Sequence, residues 1–406
     1  MSAPDIRMSE ALPRAPSAAT RKAVLIGAAQ YRRTSYGSNH PLAIPRVSLT
    51  FDLINSYAAL TSAEYLVARK AADFELEWFH TRDYVSAIKR VEALGRSDRA
   101  SREQFQLGTL ENPYFDGIYS IPCTATGASI QAAEQVIAGR VAFNPAGGMH
   151  HARPDHAQGF CYFNDPVLAI MRLRRHGWRV MYVDIDAHHG DGVEAAFQSD
   201  PEVMTLSLHM DTAYAYPFKG GRFSDAGSPS NGYATINVPL PKAIDDAQYQ
   251  RIFDATFYPA VAKFSPDAIV LQAGTDMLYA DPLGKFSIST QGFLEIIEKV
   301  YAAAPRHADG TPRLLITGGG GYHPILLARA WTGLWGLISG RVLSDAIPAE
   351  GEVLLRAVGW DADEDEAYFE SLFKNRLETM FAPEPSASEP CELIAELARH
   401  PFWQCA

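Results

Sequence analysis

Val180-Met181-Tyr182-Val183-Asp184-Ile185-Asp186-Ala187-His188-His189-Gly190-Asp191-Gly192 decides how this chain folds. Its apolar, β-branched start predicts a buried strand over Arg179–Asp186, and its end carries three carboxylates and two imidazoles. Open α/β sheets bind ligands at the carboxyl ends of such strands. While the backbone stays extended, alternate side chains share a face, which would point Asp184, Asp186 and His188 the same way. Two carboxylates and an imidazole taken out of water together repel one another unless a cation lies between them. The stretch therefore reads as a metal site at a strand end, not as a helix cap.

Similar apolar runs recur on both sides of it. Strands are predicted over Ala23–Gly27, Val141–Phe143, Val203–Leu208, Tyr233–Val238, Asp267–Ala273 and Arg313–Thr317. Between them lie helical patterns at Phe51–Phe74, Thr126–Ala138, Asn164–Arg175, Asp246–Phe264, Thr290–Ala303 and Pro324–Ser339. Strand then helix, repeated, predicts an α/β fold: one mainly parallel sheet flanked by helices on both faces. No internal repeat is visible. Residues 1–20, rich in Ala, Pro and Ser, read as a flexible lead-in, 21–381 as one catalytic domain, and 382–406 as a linker and C-terminal extension. Within the last part, the Pro/Ser-rich Ala382–Pro390 follows an acidic helix at Ala362–Met380, and Cys391–His400 suits a short helix packing back on the body.

Composition excludes several classes. A net charge of −11 leaves no broad basic face for nucleic acid. No apolar run approaches the roughly 20 residues needed to span a bilayer. Residues 1–20 lack an apolar signal core, so the expected location is cytoplasmic. Cys123, Cys161, Cys391 and Cys405 form no CxxC pair, which argues against a zinc knuckle or a disulfide framework. An acidic surface serves solubility and could also draw cationic partners.

Three other segments supply chemistry at predicted strand ends. Gly274-Thr275-Asp276 follows Asp267–Ala273, and Asp276 is a natural third ligand beside Asp186 and His188. Three protein ligands leave positions open for water and substrate, as a catalytic metal needs. Mixed nitrogen and oxygen ligation suits Zn²⁺, with Fe²⁺ or Co²⁺ as alternatives. Thr317-Gly318-Gly319-Gly320-Gly321-Tyr322 lacks the Lys-Ser/Thr of a phosphate loop, so it reads as a sharp bend that sets Tyr322 at the site to hold an oxyanion. Gly147-Gly148-Met149-His150-His151-Ala152 supplies two imidazoles, and Asp184 and Asp191 remain to orient one each.

Taken together, these motifs resemble the histone deacetylase family of the arginase/deacetylase superfamily, most of all its class I enzymes and the bacterial acetoin-utilisation deacetylases. The resemblance runs from about Tyr31 to Gly340 through Asn144–Ala152, Gly159–Asp165, Tyr182–Gly192, Ser207–His209, Asp276–Pro282 and Gly318–Tyr322. It implies Asp186, His188 and Asp276 as zinc ligands, His151 oriented by Asp191 as general base and acid, and His150 paired with Asp184 as its electrostatic partner. Tyr322 would polarise the scissile carbonyl. Gly159, Phe160, Tyr216 and Leu283 would wall an acyl-lysine tunnel, with Tyr216 where many members carry Phe. Glu111 would stand at the rim where class I enzymes have Asp, and Arg46 in an internal exit channel. A structural K⁺ would be held by Asp184, Asp186, His188, Ser207 and Leu208, and a second by Phe197, Asp200, Val203 and Ala234.

The implied reaction is zinc-dependent removal of acetyl or other acyl groups from lysine side chains, using water activated by the metal and a histidine base, with hydroxamate-type inhibitors expected. Alternatives are an acetylpolyamine or other small acylated-amine deacetylase, and a catalytically silent module that grips acyl-lysine. An arginase-like two-metal enzyme is disfavoured because Gly274-Thr275-Asp276-Met277 offers one Asp where a second metal wants two.

Overall fold

The computed structural model describes residues 20–33, 36–37, 40–360, 366–377 and 390–404. Eight strands form one sheet: β1 Ala23–Gly27, β2 Tyr65–Val67, β3 Val141–Asn144, β4 Val180–Asp184, β5 Val203–Met210, β6 Thr235–Leu240, β7 Ala268–Gln272 and β8 Leu314–Thr317. Their order is β2-β1-β3-β8-β7-β4-β5-β6, and every neighbouring pair is parallel. The α/β fold with helices on both faces is borne out. Strand alternation shows why both faces need cover. In β4, Met181 and Val183 join one apolar core while Val180 and Tyr182 join another. In β1, Ala23 and Leu25 divide from Val24 and Ile26 in the same way.

Strands β3, β8, β7 and β4 are contiguous in the sheet, so the loops leaving their carboxyl ends emerge side by side. Those loops hold His150, Tyr322, Asp276 and Asp186. The helix Pro324–Ser339 anchors one of them. It is buried nearly all round, Trp331 Nε1–H donates to the Ala273 carbonyl at 2.9 Å, and Trp335 Nε1–H donates to the Ala59 carbonyl at 2.6 Å. Pro324 sits in its first turn behind the N-cap His323, directly after Tyr322. No helix among the described residues is long and apolar enough to cross a membrane.

Two of the helical expectations need correction. The helix predicted over Phe51–Phe74 stops at Ser56, and β2 follows inside the same stretch. Ala58 adopts a φ of 51°, turning the chain out of the helix, and a three-residue edge strand is too short to show its own alternation. The acidic helix predicted over Ala362–Met380 is helical over Glu366–Leu372, and 361–365 and 378–380 lie outside the described residues. The lead-in (all but its last residue) and all of the predicted linker before Pro390 also lie outside them.

The C-terminal helix Pro390–Leu397 packs on the helix Asp246–Phe264. Behind it His400 is buried, its Nδ1 accepting the Phe402 N–H at 3.2 Å. Burial pulls the imidazole down to about 4. A depressed histidine favours the fold while neutral. Its contribution is whole above the unfolded value near 6.5 and is lost as pH falls toward 4. His400→Gln is therefore expected to remove about 1–2 kcal/mol of the acid-induced destabilisation across that window. Thermal melts of both proteins from pH 7 to 4.5 check this, and parallel Tm curves would refute it.

Candidate active site and metal centre

Strand β4 ends at Asp184, earlier than predicted, and this separates the three side chains that alternation would have aligned. The Asp184 carboxylate turns to His150 Nδ1 and the Tyr182 hydroxyl, at 2.8 and 2.7 Å. Asp186 and His188 instead meet Asp276 from the end of β7. The ligand atoms of these three buried residues all lie within 4.8 Å of one another. His188 Nδ1 is 3.2 Å from Asp186 Oδ1 and 2.8 Å from Asp276 Oδ2. A ring nitrogen carries at most one hydrogen, so the two carboxylates can only share it.

The electrostatics point the same way. Burial and the neighbouring Asp186 push the Asp276 carboxyl up to about 7. Burial would pull His188 down, yet the two carboxylates lift it to about 10. The cluster thus calls for a positive charge at its centre, and the chemistry of its donors fits a divalent cation. Around it, Gln272 Nε2 donates to Asp186 Oδ2 at 2.7 Å, the Gly320 N–H donates to the same oxygen at 2.6 Å, and the Ala187 N–H donates to Asp276 Oδ1 at 2.9 Å. A Cβ at position 320 would run into the Asp276 and Asp186 carboxylates, which explains one glycine of the run.

His150 and His151 stand beside this cluster with their Nε2 atoms 3.0 Å apart. His151 Nδ1 lies 2.8 Å from Asp191 Oδ1. The other Asp191 oxygen accepts from Arg153 and from Gln158 Nε2, the latter at 2.7 Å. Burial raises the Asp191 carboxyl, but His151 and Arg153 outweigh it and hold the group well below its usual range. The two imidazoles diverge. Burial lowers His150, yet Asp184 and Asp186 bring it up to about 9, whereas burial and the positive neighbour His150 take His151 down to about 3. One ring favours its charged form and the other its neutral form.

Loop placement rests on buried carboxylates. Asp165 accepts the Gly148 and Met149 N–H groups at 3.0 and 2.9 Å, fixing the turn ahead of His150. Asn164 Nδ2 donates to the His150 and Ala152 carbonyls. Asp281 Oδ2 accepts the Tyr322 N–H at 2.7 Å. Burial first, then the charges of Asp276 and Asp186, keep the Tyr322 hydroxyl protonated far above its ordinary range. These supports, with Arg153, Gln158 and Gln272, were not singled out from the sequence. Asp165 and Asp281 do fall inside the quoted motifs.

A cavity of about 310 Å³ leads inward from the surface to His151, His188 and Tyr322, walled by Gly159, Phe160, Tyr216 and Leu283. The Tyr216 ring meets His151 edge-on, with centroids 4.9 Å apart. Gly159 has a φ of 57°, and a Cβ there would strike the His151 ring. At the rim, Glu111 Oε1 accepts both the Gly159 N–H and the Tyr216 hydroxyl, the latter at 2.6 Å. Beyond the cluster of Asp186, His188 and Asp276 a second cavity of about 260 Å³ runs past Tyr36, Leu42 and Met149. Arg46 lines it, buried and donating to the Gly319 carbonyl, its guanidinium 5.5 Å from the Trp331 ring centre. Asp184 and Ser207 are register partners across β4 and β5, and the Phe197, Asp200 and Ala234 carbonyls each accept one backbone N–H.

A family model for the histone deacetylase domain matches residues 40–338, a span that contains the Asp186, His188 and Asp276 cluster, both imidazoles and Tyr322. The chain belongs to the histone deacetylase family. Members of that family are metal-dependent hydrolases of amide bonds, and this one is class I-like. It is 39% identical over 305 residues to histone deacetylase 8 of Xenopus tropicalis, covering 75% of this chain and 80% of that one. It is 38% identical over 317 residues to type-1 histone deacetylase 1 of Dictyostelium discoideum, covering 77% of this chain and 62% of that one. The fold matches the crystal structure of a histone deacetylase homologue complexed with SAHA at a TM-score of 0.86 and 35% identity, over 93% of this chain and all of that one.

Proposed function

We propose that this chain removes acetyl or other acyl groups from the side-chain amine of lysine, with Asp186, His188 and Asp276 holding a catalytic Zn²⁺, or Fe²⁺ or Co²⁺ in its place. One observation carries the reading: His188 of the three-ligand cluster, the imidazole of His151 backed by a carboxylate, and the buried Tyr322 all line one cavity open to the surface. When bound, the metal supplies Lewis acidity, polarising the acyl carbonyl and making water easier to deprotonate.

The protein's own groups do the rest. His151 Nε2 takes a proton from water as the oxygen attacks the acyl carbon, while Asp191 holds Nδ1–H and keeps the ring oriented. The positive charge of His150, sustained by Asp184, favours the negative charge that builds on the acyl oxygen. The Tyr322 hydroxyl donates to that oxygen. His151 then passes its proton to the nitrogen as the amide bond breaks, releasing amine and carboxylic acid. Gly159, Phe160, Tyr216 and Leu283 exclude water and align the acylated side chain, and Glu111 closes the rim. Arg46 and the inner cavity provide an exit for the acid. K⁺ bound by Asp184, Asp186, His188, Ser207 and Leu208, and a second by Phe197, Asp200, Val203 and Ala234, would brace the loops. Residues 21–381 would make up the catalytic unit, with 382–406 as an appendage.

Comparing kcat/KM on acetyl-lysine peptides, longer acyl-lysines and acetylpolyamines, with and without a hydroxamate, tests the reading. Hydroxamate-sensitive turnover led by an acyl-lysine is expected. Turnover of acetylpolyamines alone, or of nothing after metal reconstitution, would overturn it. Tyr322→Phe is expected to lower kcat by about 10²–10³-fold with metal content intact, the range for losing one oxyanion donor. Coincident loss of metal would contradict the assigned role.

A further inference from the structure

The mouth of the cavity carries charge that the proposed chemistry does not use. Lys242 and Lys285 line the same cavity as His151, His188 and Tyr322. They come from different loops, one after β6 and one after β7, yet the backbone ties them together. The Ala243 N–H donates to the Lys285 carbonyl at 2.7 Å, and the Ser287 N–H donates to the Ile244 carbonyl at 2.8 Å. Lys242 Nζ stands 4.5 Å from the centre of the Tyr214 ring, which is itself fixed by a 2.7 Å hydrogen bond from its hydroxyl to the Leu240 carbonyl. Lys285 Nζ donates to the Pro282 carbonyl at 3.1 Å. Neither ammonium is ion-paired with a carboxylate among the described residues, although the chain carries a net charge of −11.

Glu111 is the one acid among the described residues lining that cavity, and its Oε1 is already engaged by Tyr216 and Gly159. Two ammonium groups against one carboxylate leave the mouth with a net positive charge facing whatever flanks the acylated amine. Such a mouth repels a cationic flank, whether a lysine-rich peptide or the free amines of an acetylated polyamine, and attracts an anionic one.

Resting on the lysine deacylase reading, we infer that Lys242 and Lys285 select substrates that carry a carboxylate next to the acylated lysine side chain. The carboxylate comes either from an acidic neighbour in a peptide or from the free main-chain carboxyl of a single acylated amino acid. The lysines are specificity-determining residues. They take no part in bond making, so they should act on KM and leave kcat unchanged.

Matched substrates test this. One arm uses acetyl-lysine peptides that differ only in Glu, Gln or Lys beside the acylated residue. The other uses single acetyl-lysine with a free carboxylate or a carboxamide. Wild-type kcat/KM is expected to rank Glu over Gln over Lys, with about a tenfold step from Gln to Glu carried by KM and eroded by added NaCl. K242E/K285E is expected to reverse the order while keeping kcat on the Gln peptide. A preference confined to one arm identifies the source of the carboxylate and supports the inference either way. The absence of any carboxylate preference in both arms, or a preference that survives in K242E/K285E, would overturn it. Turnover of the Gln peptide separates the two readings, because its absence, along with that of every other acyl-lysine, counts against the deacylase itself.

Discussion

His151→Ala is expected to lower kcat by about 10²–10⁴-fold while leaving the metal content per chain unchanged. The range is that of general acid–base catalysis, because the side chain is assigned the proton both when water attacks and when the amine leaves. No neighbour can take over. His150 lies 3.0 Å away, but against the effect of burial the Asp184 and Asp186 carboxylates favour its protonated form, which has no lone pair to offer. His151 is not one of the clustered ligands, so its loss should not release the ion. Metal analysis beside single-turnover kinetics checks both halves. Near wild-type turnover in the alanine variant would refute the assignment. Asp191→Asn supplies a graded control, because it keeps the shape but no longer stabilises a protonated ring. His151 and Asp191 act as a unit, so the double variant should fall little further than His151→Ala alone.

How much of this was legible in the sequence depended on the range of the interactions involved. Strands such as Ala23–Gly27 and helices such as Asp246–Phe264, Thr290–Ala303 and Pro324–Ser339 match their predicted bounds, because apolar periodicity and N-caps such as Asp245 and Ser289 are local signals. Three-residue β2 was hidden inside a predicted helix, since its place at the sheet edge is set by pairing with β1. The residue types at the strand ends were readable in the same local way. Their geometry was not. Alternation would have aligned Asp184 with Asp186 and His188, but the strand ends at Asp184, and the partners then divide between His150 and Asp276. The groups that hold these side chains come from far along the chain. Gln272 reaches Asp186 across 86 residues, Gln158 reaches Asp191 across 33, and Asp281 reaches Tyr322 across 41. No spacing rule links such pairs. Only the sheet order, which sets β3, β8, β7 and β4 side by side, makes them neighbours.

Asp276→Asn is expected to abolish stoichiometric metal retention, weakening affinity by more than about 10²-fold, and to take turnover to background. Losses of 10–100-fold are common when a group merely supporting a ligand is removed, and here a proposed ligand itself would lose its charge. The substitution keeps size and shape, and the amide oxygen can still accept the Ala187 N–H that now bonds Asp276 Oδ1. What disappears is one of two carboxylates crowded into a buried space. Burial and Asp186 push the Asp276 carboxyl up to about 7, so its ionised form is costly to hold without a cation. The metal-free variant should therefore melt no lower than metal-free wild type. Wild type should gain Tm on adding Zn²⁺, in line with mass action, and the variant should not. Two findings would break the account. One is an Asn variant that still carries one ion per chain and turns over normally. The other is a metal-free wild type whose Tm is indifferent to zinc, iron and cobalt alike, because the mutual repulsion of Asp186 and Asp276 would then be balanced by something other than a divalent ion.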